Sequence, residues 1–242
     1  MDENENSTEQ TKLMERKRGK LIVFEGTDSS GKVTQAGHLF IRLRNDGEQV
    51  EMLSFPTYQK TKYGRLVAEY LAGMYGDKES VPSEISSMFY AIDRYQLKKE
   101  ILEKLKMGIY FIFDRYTQSN IFQAAKQGLE KGEKMWEWIK ALESRLPQPD
   151  AIIFLNVAPE VSENLFKERQ VKNKLLDQGE MDINEKDRKY QQTARELYLK
   201  IAANEGWIVI ECCRKEGDEW KFRTPQDIHE EIYSRLKEKG IV

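Results

Sequence analysis

The sequence predicts an α/β protein with three layers, in which helices cover both faces of a five-stranded parallel sheet. Two observations lead to this prediction. Short apolar runs of β-favouring residues recur along the chain, and stretches whose apolar residues have helical spacing separate them. Strands that alternate with helices imply a parallel sheet, and strands buried on both faces are apolar throughout rather than alternating.

Four runs have the composition of fully buried strands, and a fifth is weaker. The four strong runs are residues 21–24, 109–113, 151–155 and 207–210, and the weaker run is 50–55. Helical spacing predicts helices around Leu39 and Leu43, one long helix from Ile85 to Leu105, and further helices over about 118–128, 134–146, 161–169, 182–204 and 225–237.

Length and charge pattern predict one domain with two additions. Residues 1–18 are polar without an apolar face, so we expect a disordered tail followed by a single domain over 19–242. The segment from Lys167 to Arg188 is strongly charged and interrupted by Gln and Gly. This segment is either a mobile surface segment or a solvated helix end.

Composition excludes several functional classes. The 242 residues include 39 Lys and Arg against 41 Asp and Glu, so no global positive field attracts a nucleic acid polymer. No apolar run approaches the roughly 20 residues that span a bilayer. The adjacent Cys212 and Cys213 do not suit a disulfide, and with only two histidines the chain offers no metal-ligand spacing. We expect a soluble protein of a reducing, cytoplasmic compartment that binds neither a nucleic acid polymer nor a membrane.

The first strand runs directly into a glycine-rich phosphate-binding motif. Residues 26–32 have the form G-x-x-x-x-G-K, with Gly26, Gly31 and Lys32 at the defining positions and a helix expected to follow. Glycines let successive N–H groups face a phosphate, the helix N-terminus adds partial positive charge, and the lysine reaches the β- and γ-phosphates. The predicted ATP-binding residues are Gly26, Thr27, Asp28, Ser29, Ser30, Gly31, Lys32, Val33 and Thr34.

One position departs from this motif. The residue after the lysine is normally Ser or Thr, whose hydroxyl ligates Mg²⁺, but here it is Val33. Thr34 carries a hydroxyl, yet it lies about 100° further around the helix and points elsewhere. The motif therefore predicts triphosphate binding, while Mg²⁺ would need another protein ligand or more of the water ligands that it retains readily.

Four further motifs give the sequence a family resemblance. They are Phe55-Pro56-Thr57-Tyr58, Asp93-Arg94-Tyr95, Asp114-Arg115-Tyr116 and Asp182-Ile183-Asn184-Glu185. Together with the phosphate loop and in this order, they resemble the motifs of thymidylate kinases, which are P-loop nucleoside monophosphate kinases. The resemblance covers about residues 20–236 and implies a single P-loop kinase domain with a helical lid at 167–183.

Residues at the strand ends are the candidates for phosphate chemistry. Asp114 and Arg115 follow a predicted strand, and ligand sites in open α/β sheets lie at the carboxyl ends of strands. We expect Asp114 to hold Mg²⁺ directly or through water and Arg115 to neutralise the transferring phosphoryl group, the alternative being a surface ion pair. The resemblance implies that Asp28 binds the sugar 3′-hydroxyl, and the alternative is a turn-stabilising Asx cap.

A second group of residues is predicted to bind the acceptor. Tyr90 and Arg94 share one helix face, and the resemblance implies that the tyrosine stacks on thymine while the arginine binds phosphate or base. The alternative is an amphipathic helix with a core tyrosine and a surface arginine. The other predicted substrate-binding residues are Phe55, Tyr58, Arg115, Ser119 and Gln123. Many family members have Arg at the position of Tyr58. Gln123 lies one residue short of the family spacing for a side chain that reads the base.

The last catalytic candidate lies in the lid. Positions 29 and 30 are serines, so the phosphate loop lacks the arginine that one class of thymidylate kinases carries there. The resemblance then implies a lid arginine, for which Arg169 is the best candidate, ahead of Lys172, Lys174 and Arg188. A charged hinge segment is the alternative.

These residues predict transfer of the γ-phosphoryl of ATP to dTMP, giving ADP and dTDP for dTTP biosynthesis, with Mg²⁺ as cofactor. The family resemblance also implies a homodimer. Three alternatives remain: another nucleoside monophosphate, a deoxynucleoside, or a nucleotide-binding protein whose catalysis is weakened by Val33. A deoxynucleoside acceptor would need a base, such as a carboxylate just before or within the phosphate loop or Asp114. His38 and His229 lie away from every motif, so we expect them at the surface or between helices.

Overall fold

Five apolar strands form a parallel sheet in the order β2-β3-β1-β4-β5. The computed structural model describes residues 17–58, 60–76, 80–158, 161–162 and 188–242. The strands are β1 (Leu21–Glu25), β2 (Val50–Ser54), β3 (Tyr110–Asp114), β4 (Ala151–Asn156) and β5 (Ile208–Glu211). They coincide with the five predicted runs to within about one residue, and the predicted α/β class with a five-stranded parallel sheet is confirmed.

The strand register aligns the carboxyl ends that build the site. Phe24 of β1 and Ser54 of β2 both lie opposite Asp114 of β3. Because all three strands run in the same direction, the residues that follow them emerge at one edge of the sheet. The phosphate loop after β1, the Phe55-Pro56 turn after β2 and Arg115 after β3 therefore meet there.

Helices cover both faces of the sheet. In the described residues they are α1 (Lys32–Asn45), α2 (Lys62–Leu71), α3 (Ser83–Tyr95), α4 (Lys98–Lys106), α5 (Ile121–Ala125), α6 (Gly128–Glu143), α7 (Arg188–Glu205) and α8 (Pro225–Glu238). A 3₁₀ turn, Thr117–Asn120, precedes α5, and β6 (Cys213–Glu216) and β7 (Glu219–Phe222) form an antiparallel hairpin. Among the described helices, none is long and apolar enough to cross a membrane.

Alternate residues of the central strand face the two helical layers. Ile22 and Phe24 pack in the core with α1 and α8, whereas Leu21 and Val23 pack on the other face with α4. His38 of α1 and His229 of α8 contact each other edge to face, with ring centroids 5.5 Å apart. Their predicted place between packed helices is confirmed.

Some predicted helix boundaries were wrong. The long helix predicted from Ile85 to Leu105 is two helices, α3 and α4, separated at Gln96 and Leu97. The Gln96 amide donates back to the Asp93 carbonyl and carboxylate and to Thr61, which holds the chain in a turn at that point. The predicted helix over 118–128 begins as a 3₁₀ turn and ends at Ala125, after which Gly128 (φ +76°) starts α6.

Further differences concern segments that the prediction missed or placed elsewhere. Helix α2 and the β6–β7 hairpin were not predicted, and α6 begins six residues before the predicted 134. Of the predicted helix at 161–169, only Val161 and Ser162 belong to the described residues, where they are helical. The predicted tail up to residue 16 and the lid at 167–183 lie outside the described residues.

Candidate active site

A cavity of about 260 Å³ lies at the carboxyl edge of β1, β2 and β3. It brings together all eight residues predicted to bind the acceptor, together with Asp114: Asp28, Phe55, Tyr58, Tyr90, Arg94, Arg115, Ser119 and Gln123. A larger cavity of about 360 Å³ is bordered by residues at the starts of β4 and β5, and none of the predicted site residues lines it. We therefore take the smaller cavity as the candidate active site.

The phosphate loop adopts the backbone that its glycines permit. Gly26 has φ +156°, and a Cβ there would lie 2.9 Å from the Leu155 carbonyl oxygen, so a side chain does not fit. Gly31 has φ +87° and directly precedes α1, whose first residue is Lys32. The loop thus delivers the free N–H groups of a helix N-terminus to the edge of the sheet, which is an arrangement suited to anions.

Lys32 is buried and folded back against its own loop. Its ammonium group donates to the carbonyl oxygens of Gly26 (3.0 Å) and Thr27 (2.8 Å) and to Ser30 Oγ (3.3 Å). Burial and the positive charge of Arg115 lower the pKa of Lys32 to about 8, although nearby carboxylates oppose this shift. A phosphate would give this ammonium a stronger partner than neutral carbonyl groups.

Val33 and Thr34, two of the predicted ATP-binding residues, are exposed to solvent. Val33 is 65% exposed and Thr34 is also exposed, and of the nine predicted ATP-binding residues only Asp28 lines the cavity. Asp114, in contrast, lies inside the cavity and is 7% exposed.

The two carboxylate oxygens of Asp114 differ in their surroundings. Oδ2 accepts a hydrogen bond from Ser54 Oγ at 3.2 Å, while Oδ1 is buried and has no hydrogen-bond partner among the described residues. An unpaired carboxylate oxygen such as Oδ1 is a suitable ligand for Mg²⁺, which prefers oxygen ligands and keeps several water ligands. In the described part of the chain no three His, Cys, Asp or Glu side chains converge on a metal position. Water and phosphate oxygens would therefore complete the coordination.

Arg115 has a left-handed backbone that directs its side chain into the cavity. Its φ is +68°, and its N–H donates to the Phe24 carbonyl oxygen at 3.0 Å. The guanidinium donates to Asp28 Oδ1 at 2.5 Å and lies 5.5 Å from the Phe122 ring centroid. Gln191 of α7 donates to the other Asp28 oxygen at 3.1 Å. The predicted alternative, a surface pair of Asp114 with Arg115, is wrong because Arg115 pairs with Asp28 within the cavity.

Charge around Arg115 keeps it protonated. Burial by itself lowers the pKa of Arg115, but the negative charges of Asp28, Glu25 and Asp114 outweigh burial and raise that pKa above its ordinary value. The guanidinium is therefore a permanent cation beside the phosphate loop.

Arg94 is a second cation of the cavity, and it is almost completely buried. Arg94 and Glu143 are each 2% exposed, and Arg94 Nη1 donates to Glu143 Oε1 at 2.6 Å. Asn120 donates to the other Glu143 oxygen at 3.0 Å. Arg94 Nε has no hydrogen-bond partner among the described residues, and the guanidinium lies 6.0 Å from the Tyr90 ring centroid. The alternative of a surface arginine with a core tyrosine is wrong, since Arg94 is the more buried of the two.

The Phe55-Pro56 turn is fixed by Asp93, the neighbour of Arg94. The peptide bond between Phe55 and Pro56 is cis. The Asp93 carboxylate accepts hydrogen bonds from the Thr57 N–H (2.8 Å), the Thr57 hydroxyl and the Thr61 hydroxyl. Two of the sequence motifs are therefore parts of one structural unit, which forms a wall of the cavity.

The four remaining predicted residues of the cavity differ in how they are held. Phe55 is 2% exposed and packs against Phe113 and Tyr116, while Tyr58 is 43% exposed at the rim. Gln123 is buried and accepts from Ser86 Oγ at 2.6 Å. The Ser119 hydroxyl donates inward to Glu25 at 2.8 Å.

Three residues outside the predicted site residues belong to this arrangement, and one of them, Glu25, is the carboxylate just before the phosphate loop that was considered only as a base for a deoxynucleoside. Glu25, Glu143 and Gln191 each accept from or donate to a predicted site residue. For Glu25 a signal was present, because a charged residue that ends an apolar strand next to Gly26 needs a buried partner. Glu143 and Gln191 lie in polar helical stretches that carry no such signal. Arg169 and the 182–185 motif lie outside the described residues.

A known protein family matches most of this chain. The family model described as thymidylate kinase matches residues 24–219. The chain belongs to the thymidylate kinase family. Membership makes it a phosphotransferase of the nucleoside monophosphate kinase class, and the family predicted from the motifs is confirmed.

Individual relatives agree with this assignment. Thymidylate kinase of Plasmodium falciparum is 31% identical over 223 residues, which span 92% of this chain and 91% of the relative. Thymidylate kinase of Schizosaccharomyces pombe is 36% identical over 152 residues, 62% of this chain and 67% of the relative. A solved structure of thymidylate kinase from Candida albicans has a TM-score of 0.70 at 24% identity, covers 93% of both chains and shows the shared fold.

Proposed function

We propose that this family member transfers the γ-phosphoryl group of ATP to dTMP, giving ADP and dTDP for dTTP biosynthesis. The observation that carries the proposal is the convergence of three motifs on one cavity: the phosphate loop with Asp28, the Asp114–Arg115 strand end, and Tyr90 with Arg94. The names of the relatives in the comparisons support dTMP as the acceptor.

The donor phosphates would lie at the N-terminus of α1. The loop N–H groups and the helix dipole favour anions there, and Lys32 would exchange its carbonyl partners for phosphate oxygens. Asp114 Oδ1 would hold Mg²⁺ directly or through water. Bound Mg²⁺ would neutralise part of the charge on the phosphates. The Val33 side chain carries no oxygen and cannot take part in this coordination.

Arg115 would stabilise the phosphoryl group in transfer. Its guanidinium is part of the cavity lining and lies next to the phosphate loop through its contact with Asp28. Phosphoryl transfer depends mainly on positioning and charge neutralisation, and both are properties of this cation. Arg169 stays a candidate for an additional cation from the lid.

The acceptor would lie between Tyr90, Arg94 and Asp28. Tyr90 offers an aromatic face, Arg94 a buried cation, and Asp28 an acceptor for a sugar hydroxyl. A monophosphate acceptor is mostly dianionic at neutral pH, because its second pKa is about 6. No general base is then required. A deoxynucleoside acceptor would need one. Of the three predicted bases, Asp28 is engaged by Arg115 and Gln191, and Glu25 just before the loop is 0% exposed, which leaves Asp114.

An acceptor panel tests this proposal. We expect ADP release with ATP, Mg²⁺ and dTMP, and much lower rates with dUMP, dCMP and thymidine under the same conditions. A Lys32→Met variant serves as the inactive control. Absence of ADP release with dTMP over a wide enzyme range would overturn the proposal. Calorimetric binding of ATP and dTMP without turnover would instead favour a nucleotide-binding protein with weakened catalysis.

Two further properties belong to the proposal. The family resemblance implies a homodimer, which light scattering after gel filtration would test. A cytoplasmic location agrees with the buried free thiol of Cys212, and fractionation of cells would test it.

A further inference from the structure

Glu25, the last residue of β1, is a fully buried carboxylate with three hydrogen-bond donors. Its relative exposure is 0%. Oε1 accepts from the Tyr116 N–H at 2.8 Å, and Oε2 accepts from the Ser119 and Tyr198 hydroxyls, each at 2.8 Å. A buried charge of this kind is costly unless it is well satisfied, so its presence next to the phosphate loop calls for a role.

The Tyr116 N–H connects Glu25 with the backbone of Arg115. The Arg115 N–H donates to the Phe24 carbonyl oxygen, and the next N–H, that of Tyr116, donates to the Glu25 carboxylate. Phe24 and Glu25, the last two residues of β1, therefore accept hydrogen bonds from the N–H groups of Arg115 and Tyr116, which follow β3. Between them lies the left-handed conformation of Arg115, which a residue with a Cβ adopts only when its surroundings enforce it.

This backbone conformation determines where the guanidinium lies. A chain that continued β3 in extended geometry would point the Arg115 side chain toward one face of the sheet. With φ at +68°, the side chain instead reaches Asp28 of the phosphate loop. The hydrogen bond from Tyr116 to Glu25 stabilises this turn.

Helix α7 supports the same arrangement from the other side. Tyr198 donates to Glu25 and stacks on Phe154, with ring centroids 4.9 Å apart and an interplanar angle of 8°. Gln191, seven residues earlier and so on the same helix face, donates to Asp28. Two of the carboxylates around Arg115, Glu25 and Asp28, therefore each accept one hydrogen bond from α7.

Burial raises the pKa of Glu25 above its ordinary value, although the positive charge of Arg115 and the three hydrogen bonds oppose this shift. All three groups act as donors, which suits an ionised carboxylate that accepts through both oxygens.

We propose that Glu25 is a positioning residue for phosphoryl transfer: it holds the Tyr116 N–H, keeps Arg115 in its left-handed turn and thereby aims the guanidinium at the phosphate loop. This inference rests on the proposed function only in the use of turnover as a readout.

A double-mutant cycle tests whether Glu25 acts through Arg115. We expect Glu25→Ala to lower kcat by about 100-fold, the loss typical of a misplaced catalytic group. Glu25→Gln keeps an oxygen that accepts from Tyr116 and should retain activity to within about fivefold, since an intact hydrogen bond preserves the geometry. In an Arg115→Ala background, Glu25→Ala should cause less than about a twofold further loss, because a residue that acts through another has no effect once that other is gone.

Two further variants make this experiment decisive. Glu211 also ends a strand of the sheet and accepts from Asn156, but it contacts no residue of the cavity, so Glu211→Ala should leave kcat unchanged. Glu25→Asp keeps the charge but is one methylene shorter. It replaces Glu25→Ala in the cycle if the alanine variant does not fold, with an expected loss of about tenfold.

Several outcomes would overturn the inference. Losses that multiply in the double variant would show that Glu25 acts independently of Arg115. A lower Tm with unchanged kcat would show a purely structural role. A crystal structure of the Glu25 variant in which Arg115 keeps its left-handed φ and its Asp28 contact would do the same without any substrate. If the wild-type protein shows no turnover with dTMP, the proposed function fails, whereas the crystallographic result still decides the role of Glu25.

Discussion

Replacing Glu143 with alanine leaves the Arg94 guanidinium charged and without its carboxylate in the protein interior. Both side chains are 2% exposed, and Arg94 Nη1 lies 2.6 Å from Glu143 Oε1. Removal of one partner from such a pair costs about 3–5 kcal/mol, because the remaining charge stays buried and uncompensated. The whole free energy of unfolding of a domain is only about 5–15 kcal/mol. Glu143→Ala should therefore remove a large share of the stability.

Thermal and chemical unfolding measure this effect. For a domain of this size, each kcal/mol shifts Tm by about 2–4 °C, so we expect Tm to fall by about 6–20 °C. The matched control is Glu103→Ala, which breaks an exposed pair with Lys99 at 3.8 Å whose side chains are 60% and 89% exposed. Exposed pairs contribute about 0–1 kcal/mol, so the control should unfold close to the wild type.

A double replacement separates charge from packing. Arg94→Met combined with Glu143→Leu removes both charges and fills a similar volume, so it should recover most of the stability lost in Glu143→Ala. This double variant should not bind the acceptor, because Arg94 is absent. A Glu143→Ala variant within about 1 kcal/mol of the wild type would refute the reasoning, since the buried guanidinium would then need no carboxylate.

Three more changes test the phosphate loop and the wall of the cavity. Because the pKa of Lys32 is about 8, the ammonium loses its proton between pH 7 and pH 9.5, and the ATP affinity measured by calorimetry should fall by up to about 30-fold. Lys32→Arg should abolish this fall, whereas a flat profile in the wild type would contradict the shifted pKa. Val33→Thr adds the missing hydroxyl at an exposed position, so it should lower the Mg²⁺ concentration that gives half-maximal rate severalfold without changing Tm. An unchanged Mg²⁺ dependence would show that the site functions without this hydroxyl. Asp93→Asn weakens the acceptor of the Thr57 N–H and should cost about 1–3 kcal/mol and speed amide exchange at Thr57; unchanged protection there would argue against the role of Asp93.

The sheet and the location of the site could be predicted because both depend on local sequence. Strands buried on two faces are apolar along their length, and this is why the run at 151–155 was recognisable without an alternating pattern. The motifs at the ends of β1, β2 and β3 converge because parallel strands end at one edge. Asp28, Phe55 and Arg115 therefore came together as expected from sequence alone.

The partners of the supporting residues could not be predicted, because they are distant in sequence. Glu25 bonds with Tyr116 and Tyr198, which are 91 and 173 residues away, and Glu143 pairs with Arg94 49 residues away. No spacing rule reaches across such separations.

The two missed elements had weak local signals. Thr61 caps α2 by accepting from the Gly64 N–H, and Gly217-Asp218 lies between two short strands as in a two-residue hairpin turn. The strands of the hairpin are mostly charged and exposed, so composition favoured a loop.

Both arginines of the active-site cavity already have a carboxylate partner within the protein, Glu143 for Arg94 and Asp28 for Arg115. A simple anion such as inorganic phosphate therefore meets positive charge that is largely compensated. To bind Arg115, it must displace the Asp28 carboxylate. A ligand that offers Asp28 a hydroxyl while its phosphate takes the arginine satisfies both separated partners. We therefore expect the cavity to bind such a ligand in preference to inorganic phosphate.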